Sequence, residues 1–195
     1  MEKKLLNVIM FGPPGSGKGT QAKKVAASQG LVHISTGEIL RSAIERKTPL
    51  GVLAQQYMDK GELVPDGDVQ QMLANAVDRY IAEGARGFIF DGFPRTLDQA
   101  GFLDEMMKER GSEIHYLIFL DVDHDELVKR LLLRGKTEGR SDDTLEVIEN
   151  RLEVYKKTTL PVIEHYKRQG KFYPVNGVGT IEEVNARICA ILRKS

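Results

Sequence analysis

The sequence is poor in the residues that build disulfide frameworks and cysteine-ligated metal sites. Among its 195 residues there is one cysteine, Cys189, and no tryptophan. A single cysteine excludes both an internal disulfide and a zinc site made from several cysteines. We therefore expect no structural zinc and a reducing, cytoplasmic location.

The sequence has no excess of positive or negative charge and no long apolar run. Lys and Arg number 28, as do Asp and Glu, so the formal net charge is zero. Such a chain has no overall field to attract nucleic acid or an anionic membrane surface. No apolar run approaches the roughly 18 residues of a membrane span, and the opening segment MEKKLLNVIMFG is too short and too soon broken by glycine for a signal peptide. We expect neither nucleic-acid nor membrane partners.

Short apolar runs alternate with longer stretches of helical period, which is typical of a parallel sheet covered on both faces. The length suits one domain. Strands are predicted at 5–11, 32–34, 87–90, 116–120 and 172–175. Helices are predicted at 17–29, 37–59, 67–83, 96–109, 124–134 and 144–169, and from about 180. Two segments break the alternation: the mainly helical 35–64 and the polar loop RGKTEGRSDD at 134–143.

The segment GPPGSGKGT lies between the first predicted strand and the first predicted helix. Gly12, Gly17 and Lys18 fit the spacing G-x-x-x-x-G-K of a phosphate-binding loop. In such a loop backbone N–H groups face the anion, the helix N-terminus adds positive potential and the lysine reaches the phosphates. A glycine-rich turn without a ligand is the alternative. After Lys18 comes Gly19 rather than Ser or Thr, with Thr20 next, so a direct contact from a hydroxyl to Mg²⁺ is less expected.

An acidic residue and an arginine follow the third predicted strand. Asp91 follows the apolar run GFIF, and Arg95 ends the next segment, GFPR. An Asp at the carboxyl end of a buried strand beside a phosphate loop can hold Mg²⁺ through its waters. Arg95 has the planar fork that binds phosphate through two hydrogen bonds. The alternative is an ordinary turn with a surface arginine.

Two further segments have an ordinary explanation beside a functional one. In STGEILR, Ser35 and Glu38 have the spacing of a helix capping box. Yet Thr36 would lie at the helix mouth and Arg41 one turn later, a geometry that suits an anionic ligand with a polar base. In SDDTLE, Asp143 lies three residues before a glutamate, as an N-cap residue would.

The polar loop is rich in arginine. Arg134 and Arg140 flank the segment GKTEG, and Arg151 lies in the helix beyond. If the loop folds down, these three guanidinium groups converge, and without an anion they would repel one another. The alternative is a solvated charged face. The four histidines show no metal-ligand spacing and are predicted to be structural or surface residues.

In combination, six segments resemble the adenylate kinase family of the short-lid type, in the family's order and across essentially the whole chain. They are FGPPGSGKGTQ, STGEILR, GELVPD, DGFPRTLDQ, RGKTEGRSDD and VNGVGT. The resemblance implies a phosphate-loop α/β fold of three layers (α/β/α), with a central parallel sheet of about five strands. It also implies a small, mobile, helical AMP-binding insertion at 35–64 and a short mobile lid at 133–143. Long-lid relatives carry an inserted small domain, often with zinc-binding cysteines, and this sequence lacks both.

The same resemblance implies which residues bind the two nucleotides and which take part in catalysis. ATP is expected at Gly15, Ser16, Gly17, Lys18, Gly19, Thr20, Arg134 and Gly179. AMP is expected at Thr36, Arg41, Glu62, Leu63, Val64, Gly92, Phe93, Pro94, Arg95, Gln99, Arg140 and Arg151. The catalytic residues implied are Lys18, Arg95, Arg134, Arg140 and Arg151, and Asp91 is expected to hold Mg²⁺ through water.

The implied reaction is ATP + AMP ⇌ 2 ADP, with Mg²⁺ as the cofactor on ATP, in a cytoplasmic monomer. Transfer between ionised phosphates needs no strong base, which accounts for a lysine and several arginines without paired catalytic carboxylates. A UMP/CMP kinase would share most phosphate-binding residues, but Thr36 and Gln99 favour adenine because the resemblance places them at the acceptor base. A GTP-binding switch would require an Asn-Lys-x-Asp motif, and the sequence contains none.

Overall fold

A parallel sheet lies at the centre of the molecule. The computed structural model describes residues 5–193. Its strands are β1 (Leu6–Phe11), β2 (Val32–Ser35), β3 (Gly87–Asp91), β4 (Tyr116–Asp121) and β5 (Phe172–Asn176). Its helices are α1 (Lys18–Gln29), α2 (Thr36–Glu45), α3 (Pro49–Met58), α4 (Asp66–Ala82), α5 (Leu97–Glu109), α6 (His124–Glu138), α7 (Leu145–Val154), α8 (Val162–Lys167) and α9 (Ile181–Leu192), with a π-helical turn at Tyr155–Thr159.

The five strands lie in the order β2-β3-β1-β4-β5, and every neighbouring pair is parallel. The carboxyl ends of the strands therefore meet at one edge of the sheet. The chain leaves the central strand β1 toward β2 on one side and later crosses to β4 on the other. Ligands of open parallel α/β sheets bind in the crevice at this edge, where the connections diverge.

Both faces of the sheet are buried, because alternate residues of a strand point to opposite sides. On β1, Val8 and Met10 share a core with Val25 of α1 and Ile188 of α9. The intervening residues Ile9 and Phe11 belong to the opposite core, with residues of α4, α5 and α8. The predicted three-layer α/β/α fold is thus confirmed. None of the helices within residues 5–193 is both long enough and apolar enough to cross a membrane.

The prediction of one helix over 37–59 is wrong, because the segment contains two helices, α2 and α3. Between them Lys47 has a φ of 53°. The Thr48 side chain accepts a hydrogen bond from the Gly51 N–H at 3.1 Å and so caps α3, whose first residue is Pro49. A proline disfavours helical backbone in the residue before it but is well tolerated in a first helical turn.

The prediction of a polar loop over 134–143 is wrong for its first half, because α6 continues to Glu138. Gly135 does not end the helix; it lies against the backbone of Asp143, and a Cβ on it would be 2.8 Å from the Asp143 carbonyl oxygen. The helix ends instead at Gly139, which has a φ of 63° and is the first left-handed residue of the segment. The irregular part of this segment is therefore short.

The long helix predicted over 144–169 is interrupted. After α7 the Leu160 N–H donates to the carbonyl of Tyr155 at 2.8 Å, the spacing of a π-helix. Pro161 follows and has no N–H to continue the ladder. The remaining predicted helices agree with the structure to within a few residues.

Candidate active site

The phosphate-binding loop connects β1 to α1 at the carboxyl edge of the sheet. Gly15 has a φ of 83°, and a Cβ on it would lie 2.8 Å from Cγ of Leu131, so the turn requires glycine. Gly19, the departure from the usual Ser or Thr, lies in the first turn of α1. A Cβ there would approach Oδ2 of Asp91 to 3.3 Å. A small residue at this position lets the loop lie directly against the end of β3.

Lys18 is the first residue of α1, and its half-buried side chain turns back over the loop. Its Nζ donates to the Pro13 carbonyl oxygen at 3.4 Å. The pKa of Lys18 is lowered to about 7, mainly by burial; Asp91 opposes this shift, and the positive charges of the neighbouring arginines add to it. The protein thus holds a lysine whose charged form is stabilised when an anion binds.

Asp91 and His33 form a pair that the sequence did not predict. His33 Nε2 lies 3.1 Å from Asp91 Oδ2, and Asp91 is only 6% exposed. Burial acts to raise the pKa of Asp91, but the hydrogen bond from His33 and the charge of Lys18 outweigh it and leave the pKa below its usual value. Asp91 is therefore a carboxylate. The sequence carried a signal for this pair: β2 and β3 were both predicted, and adjacent parallel strands end side by side.

Asp143 anchors two of the predicted arginines. It accepts two hydrogen bonds from Arg134, at 2.6 Å from Nε and 2.7 Å from Nη2, and a third from Arg151 Nη1 at 2.7 Å. The interpretation of Asp143 as an N-cap residue is wrong, since Thr144 occupies the N-cap of α7. A buried carboxylate that accepts three charged hydrogen bonds fixes both guanidinium planes.

Asp142 connects the segment before α7 to α2. Its Oδ2 lies 3.3 Å from Arg151 Nη1 and 3.4 Å from Arg41 Nη2. Burial acts to raise its pKa, but Arg151 and Arg41 outweigh burial and lower it. The sequence did not indicate that Asp142 and Asp143 pair with arginines, because helix-capping chemistry explained acidic residues at this place equally well.

Arg95 and Arg140 have different surroundings. Arg95 Nε donates to the Gly92 carbonyl at 2.6 Å, and within residues 5–193 it makes no ion pair. Burial lowers its pKa to about 10, with Arg151 as the next cause. Arg140 instead forms an ion pair with Glu138, at 2.7 Å between Nε and Oε2, and lies outside the cleft. The structure therefore brings Arg95 to the centre of the site and leaves Arg140 at its margin.

One cleft of about 990 Å³, including its open mouth, contains most of the residues expected at AMP. They are Thr36, Arg41, Glu62, Leu63, Val64, Gly92, Phe93, Pro94, Arg95, Gln99 and Arg151, and Lys18 lines the same cleft. The lining also includes the buried apolar residues Leu40, Val64 and Val69. The cleft therefore combines cationic side chains, which suit phosphate, with apolar ones, which suit a flat, weakly polar group.

Two polar side chains in the cleft are held by neighbouring residues. The Thr36 hydroxyl donates to the Gly92 carbonyl oxygen at 2.9 Å. The Gln99 amide donates to Asp66 at 2.7 Å and accepts from the Arg95 N–H at 2.7 Å. Gln99 is thus oriented by both ends of its amide, and Asp66 is a supporting residue that sequence reasoning missed.

Most residues expected at ATP belong to the phosphate loop and the start of α1, and Gly179 lies in the loop before α9. Arg130 Nη1 is 3.5 Å from the Ser16 carbonyl oxygen, and Nη2 is 3.2 Å from that of Gly177. Arg130 thereby places the loop before α9, including Gly179, next to the phosphate loop. Sequence reasoning did not single out Arg130, which lies one turn before Arg134 on α6.

Comparison with known proteins agrees with this geometry. The family model described as adenylate kinase matches residues 10–171. An adenylate kinase of Parabacteroides distasonis is 50% identical over 184 residues, covering 94% of this chain and 96% of the relative. One from Bacteroides fragilis is 46% identical, covering 95% and 97%, and one from Flavobacterium psychrophilum is 46% identical, covering 96% and 98%. Such similarity over nearly the full length shows that this chain belongs to the adenylate kinase family of nucleoside monophosphate kinases.

Proposed function

We propose that this protein transfers the terminal phosphoryl group of ATP to AMP, giving two ADP, and that the cleft described above is where it does so. The observation that carries the proposal is that Lys18, Arg41, Arg95 and Arg151 line a single cleft. Neighbouring carboxylates offset part of this positive charge, but Arg95 makes no ion pair within residues 5–193, and burial and Arg151 lower its pKa. Such a cation is stabilised when an anion binds beside it, and the phosphates of two nucleotides would supply that anion.

The donor site of the proposal is the phosphate loop. Gly15, Ser16, Gly17, Gly19 and Thr20 would surround the phosphates of ATP with backbone N–H groups at the start of α1. Lys18 would bind the phosphate to be transferred. Arg134 and the backbone at Gly179 would bind farther along the same nucleotide.

The acceptor site of the proposal is the part of the cleft between α2 and the segment after β3. Arg41 and Arg95 would bind the AMP phosphate, and Thr36 and Gln99 would lie at the base. The backbone of 62–64 and of 92–94 would border the nucleoside. Arg140 and Arg151 would reach the phosphates when the lid is closed.

Catalysis in this proposal is positioning and charge stabilisation. A transferred phosphoryl group spreads negative charge over its equatorial oxygens, and fixed cations in a site that excludes water stabilise that charge. The buried carboxylates support this role, because Asp143 orients Arg134 and Arg151. No side chain is required to remove a proton, since the attacking oxygen of AMP is already ionised.

Mg²⁺ would enter bound to ATP. The residues fit it, because Asp91 is an ionised carboxylate beside the phosphate loop, and its Oδ1 makes no hydrogen bond within the described chain. Mg²⁺ keeps several of its waters in proteins, so Asp91 would hold it through water. The ion would neutralise charge on the phosphates.

We also propose that residues 35–64 and 133–143 move to open and close the cleft. Contacts between them support this: Ser141 donates to Asp59 at 2.9 Å, and Arg41 meets Asp142. These bonds join two segments that are far apart in sequence and lie across the cleft mouth. Closure would exclude water, which otherwise could accept the phosphoryl group.

A coupled assay with ATP and a series of monophosphates tests the function and separates it from a UMP/CMP kinase. We expect AMP to exceed CMP and UMP by at least about a hundredfold in kcat/KM, because a pyrimidine leaves polar groups of the pocket unpaired. Gln99→Ala should reduce this preference more than it slows transfer to AMP. Comparable rates with AMP and UMP would show a UMP/CMP kinase instead. ATP hydrolysis without any acceptor dependence would contradict the phosphotransferase proposal altogether.

A further inference from the structure

The loop between β5 and α9, residues 176–180, is held on one side by β4 and by Arg130. The Gly177 N–H donates to the Asp121 carbonyl oxygen at 2.8 Å, and the Gly177 carbonyl accepts from Arg130 at 3.2 Å. Beyond Gly177 the loop has no strand beside it, and Val178 is 43% exposed. Its shape there depends on side chains.

Arg187, on the second turn of α9, holds the other side of this loop. Its Nη1 donates to two carbonyl oxygens, that of Asn176 at 2.8 Å and that of Val178 at 2.7 Å. Two carbonyl groups turned toward the same point repel each other, and a shared cationic donor is what allows them to stay there. Gly179 follows with a φ of 127°, and a Cβ on it would lie 2.6 Å from Oε2 of Glu183, so this turn of the loop requires glycine.

The hydrogen bond to Val178 determines where the next peptide group points. The peptide bond between Val178 and Gly179 is trans, so its N–H and C=O point in opposite directions. Because the Val178 carbonyl faces Arg187, the Gly179 N–H faces away from it. Within residues 5–193 this N–H donates no hydrogen bond. The loop therefore presents an unused donor on the side opposite Arg187.

We infer that Arg187 is a positioning residue for the donor nucleotide: by holding the peptide between Val178 and Gly179, it fixes the backbone that the base of ATP contacts. This inference rests on the proposed function, which puts ATP on the phosphate loop and at Gly179. Arg187 itself touches neither nucleotide. It acts on donor binding and donor choice, while the acceptor cleft lies on the other side of the phosphate loop.

Steady-state kinetics of Arg187→Ala test the inference, with Arg193→Ala as the matched control. Arg193 is an exposed arginine at the end of the same helix, and within residues 5–193 its side chain forms no hydrogen bond or ion pair with the loop. We expect Arg187→Ala to raise the KM for ATP about tenfold, as the loss of charged hydrogen bonds to two carbonyls would. The KM for AMP and kcat at saturating ATP should stay within about twofold of wild type. Arg193→Ala should change neither KM value nor kcat.

Two further measurements distinguish this role from a purely structural one: the preference for ATP over GTP, and the partial recovery of ATP binding by Arg187→Lys. The preference for ATP over GTP should narrow in Arg187→Ala, because a loop free to rearrange discriminates less between bases. Arg187→Lys keeps the charge and several N–H donors, so its KM for ATP should lie between those of wild type and Arg187→Ala. If Arg187→Ala does not fold, Arg187→Lys alone should still show a rise confined to ATP.

An unchanged KM for ATP in a folded Arg187→Ala protein would overturn the inference, and so would an equal rise in both KM values. Wild-type protein separates this result from failure of the proposed function. If wild type transfers phosphate from ATP to AMP and the variant behaves like wild type, only the role of Arg187 is lost.

Discussion

Lys18 combines burial with several positive neighbours, and this has a consequence for proton uptake. Its pKa of about 7 in the nucleotide-free protein means that at pH 8 most Lys18 side chains are uncharged. Bound phosphates would raise the pKa again, because they favour the charged form. We expect ATP binding at pH 8 to take up close to one proton, roughly 0.5 to 1, measured by calorimetry in buffers of different ionisation enthalpy.

Lys18→Met should abolish this uptake and lower turnover at least roughly 100-fold, as loss of one electrostatic stabiliser does. The folded-state pKa is below the unfolded one, so the unfolded chain binds more protons between about pH 7 and 10.5. Stability therefore rises with pH across that interval in wild type. Lys18→Met should remove that part of the slope and should not lower the melting temperature at pH 7. Undiminished proton uptake in the variant would contradict the assignment.

Asp143 is the second residue whose replacement is informative. Asp143→Asn leaves a side chain of the same size but removes the charge that holds Arg134 and Arg151. Breaking a buried ion pair costs about 3 to 5 kcal/mol, so we expect a large fall in the free energy of unfolding together with at least a tenfold fall in kcat. The control is Glu153→Gln, which breaks an exposed pair with Lys157; exposed pairs contribute little to stability. Equal stability of the two variants would show that Asp143 is not the anchor.

At the scale of elements, the break between α2 and α3 shapes the insertion. Thr48 caps α3 and also donates to the Ala43 carbonyl at 3.3 Å, so one side chain joins the two helices. Loss of such a cap costs about 1 kcal/mol. This loss of stability affects residues 35–64, and the phosphate loop is unaltered.

Thr48→Ala should therefore lower stability by about 1 kcal/mol in a denaturant titration and raise the KM for AMP more than the KM for ATP. Hydrogen exchange should quicken in α2 and α3 before it does in the sheet. Ser28→Ala is the control, because Ser28 is an exposed residue of α1 whose hydroxyl, within the described part of the chain, donates to the Val25 carbonyl alone. A change of the two KM values in parallel would mean that the insertion does not serve the acceptor alone.

At the scale of the whole molecule, we expect that removing Mg²⁺ stops the reaction but does not unfold the protein. If Mg²⁺ arrives with ATP, a chelator should abolish transfer and leave the melting temperature of the nucleotide-free protein within about 1 °C. Differential scanning calorimetry with and without chelator measures this. A large fall in melting temperature would reveal a metal that supports the fold.

The sequence by itself determined the sheet, the order of layers and the two places where nucleotide phosphates are expected. Apolar runs long enough only for buried strands, and a glycine-rich turn that opens a helix at Lys18, are local patterns that survive in any tertiary context. The sequence did not determine where helices end within stretches of helical period, as before Thr48 and at Gly139. Gly135, for example, looks like a helix-breaking residue, yet α6 continues through it.

Only the tertiary structure decided which charges neutralise which. Asp143 satisfied a local rule for helix caps, yet it is the counter-ion of Arg134 and Arg151. Asp142 beside it pairs with Arg41, about 100 positions away in the chain. Likewise His33 meets Asp91, and Arg187 meets the backbone before its own helix. Ion pairs and hydrogen bonds of this kind depend on distances of a few ångströms between segments, and no spacing along the chain encodes those distances.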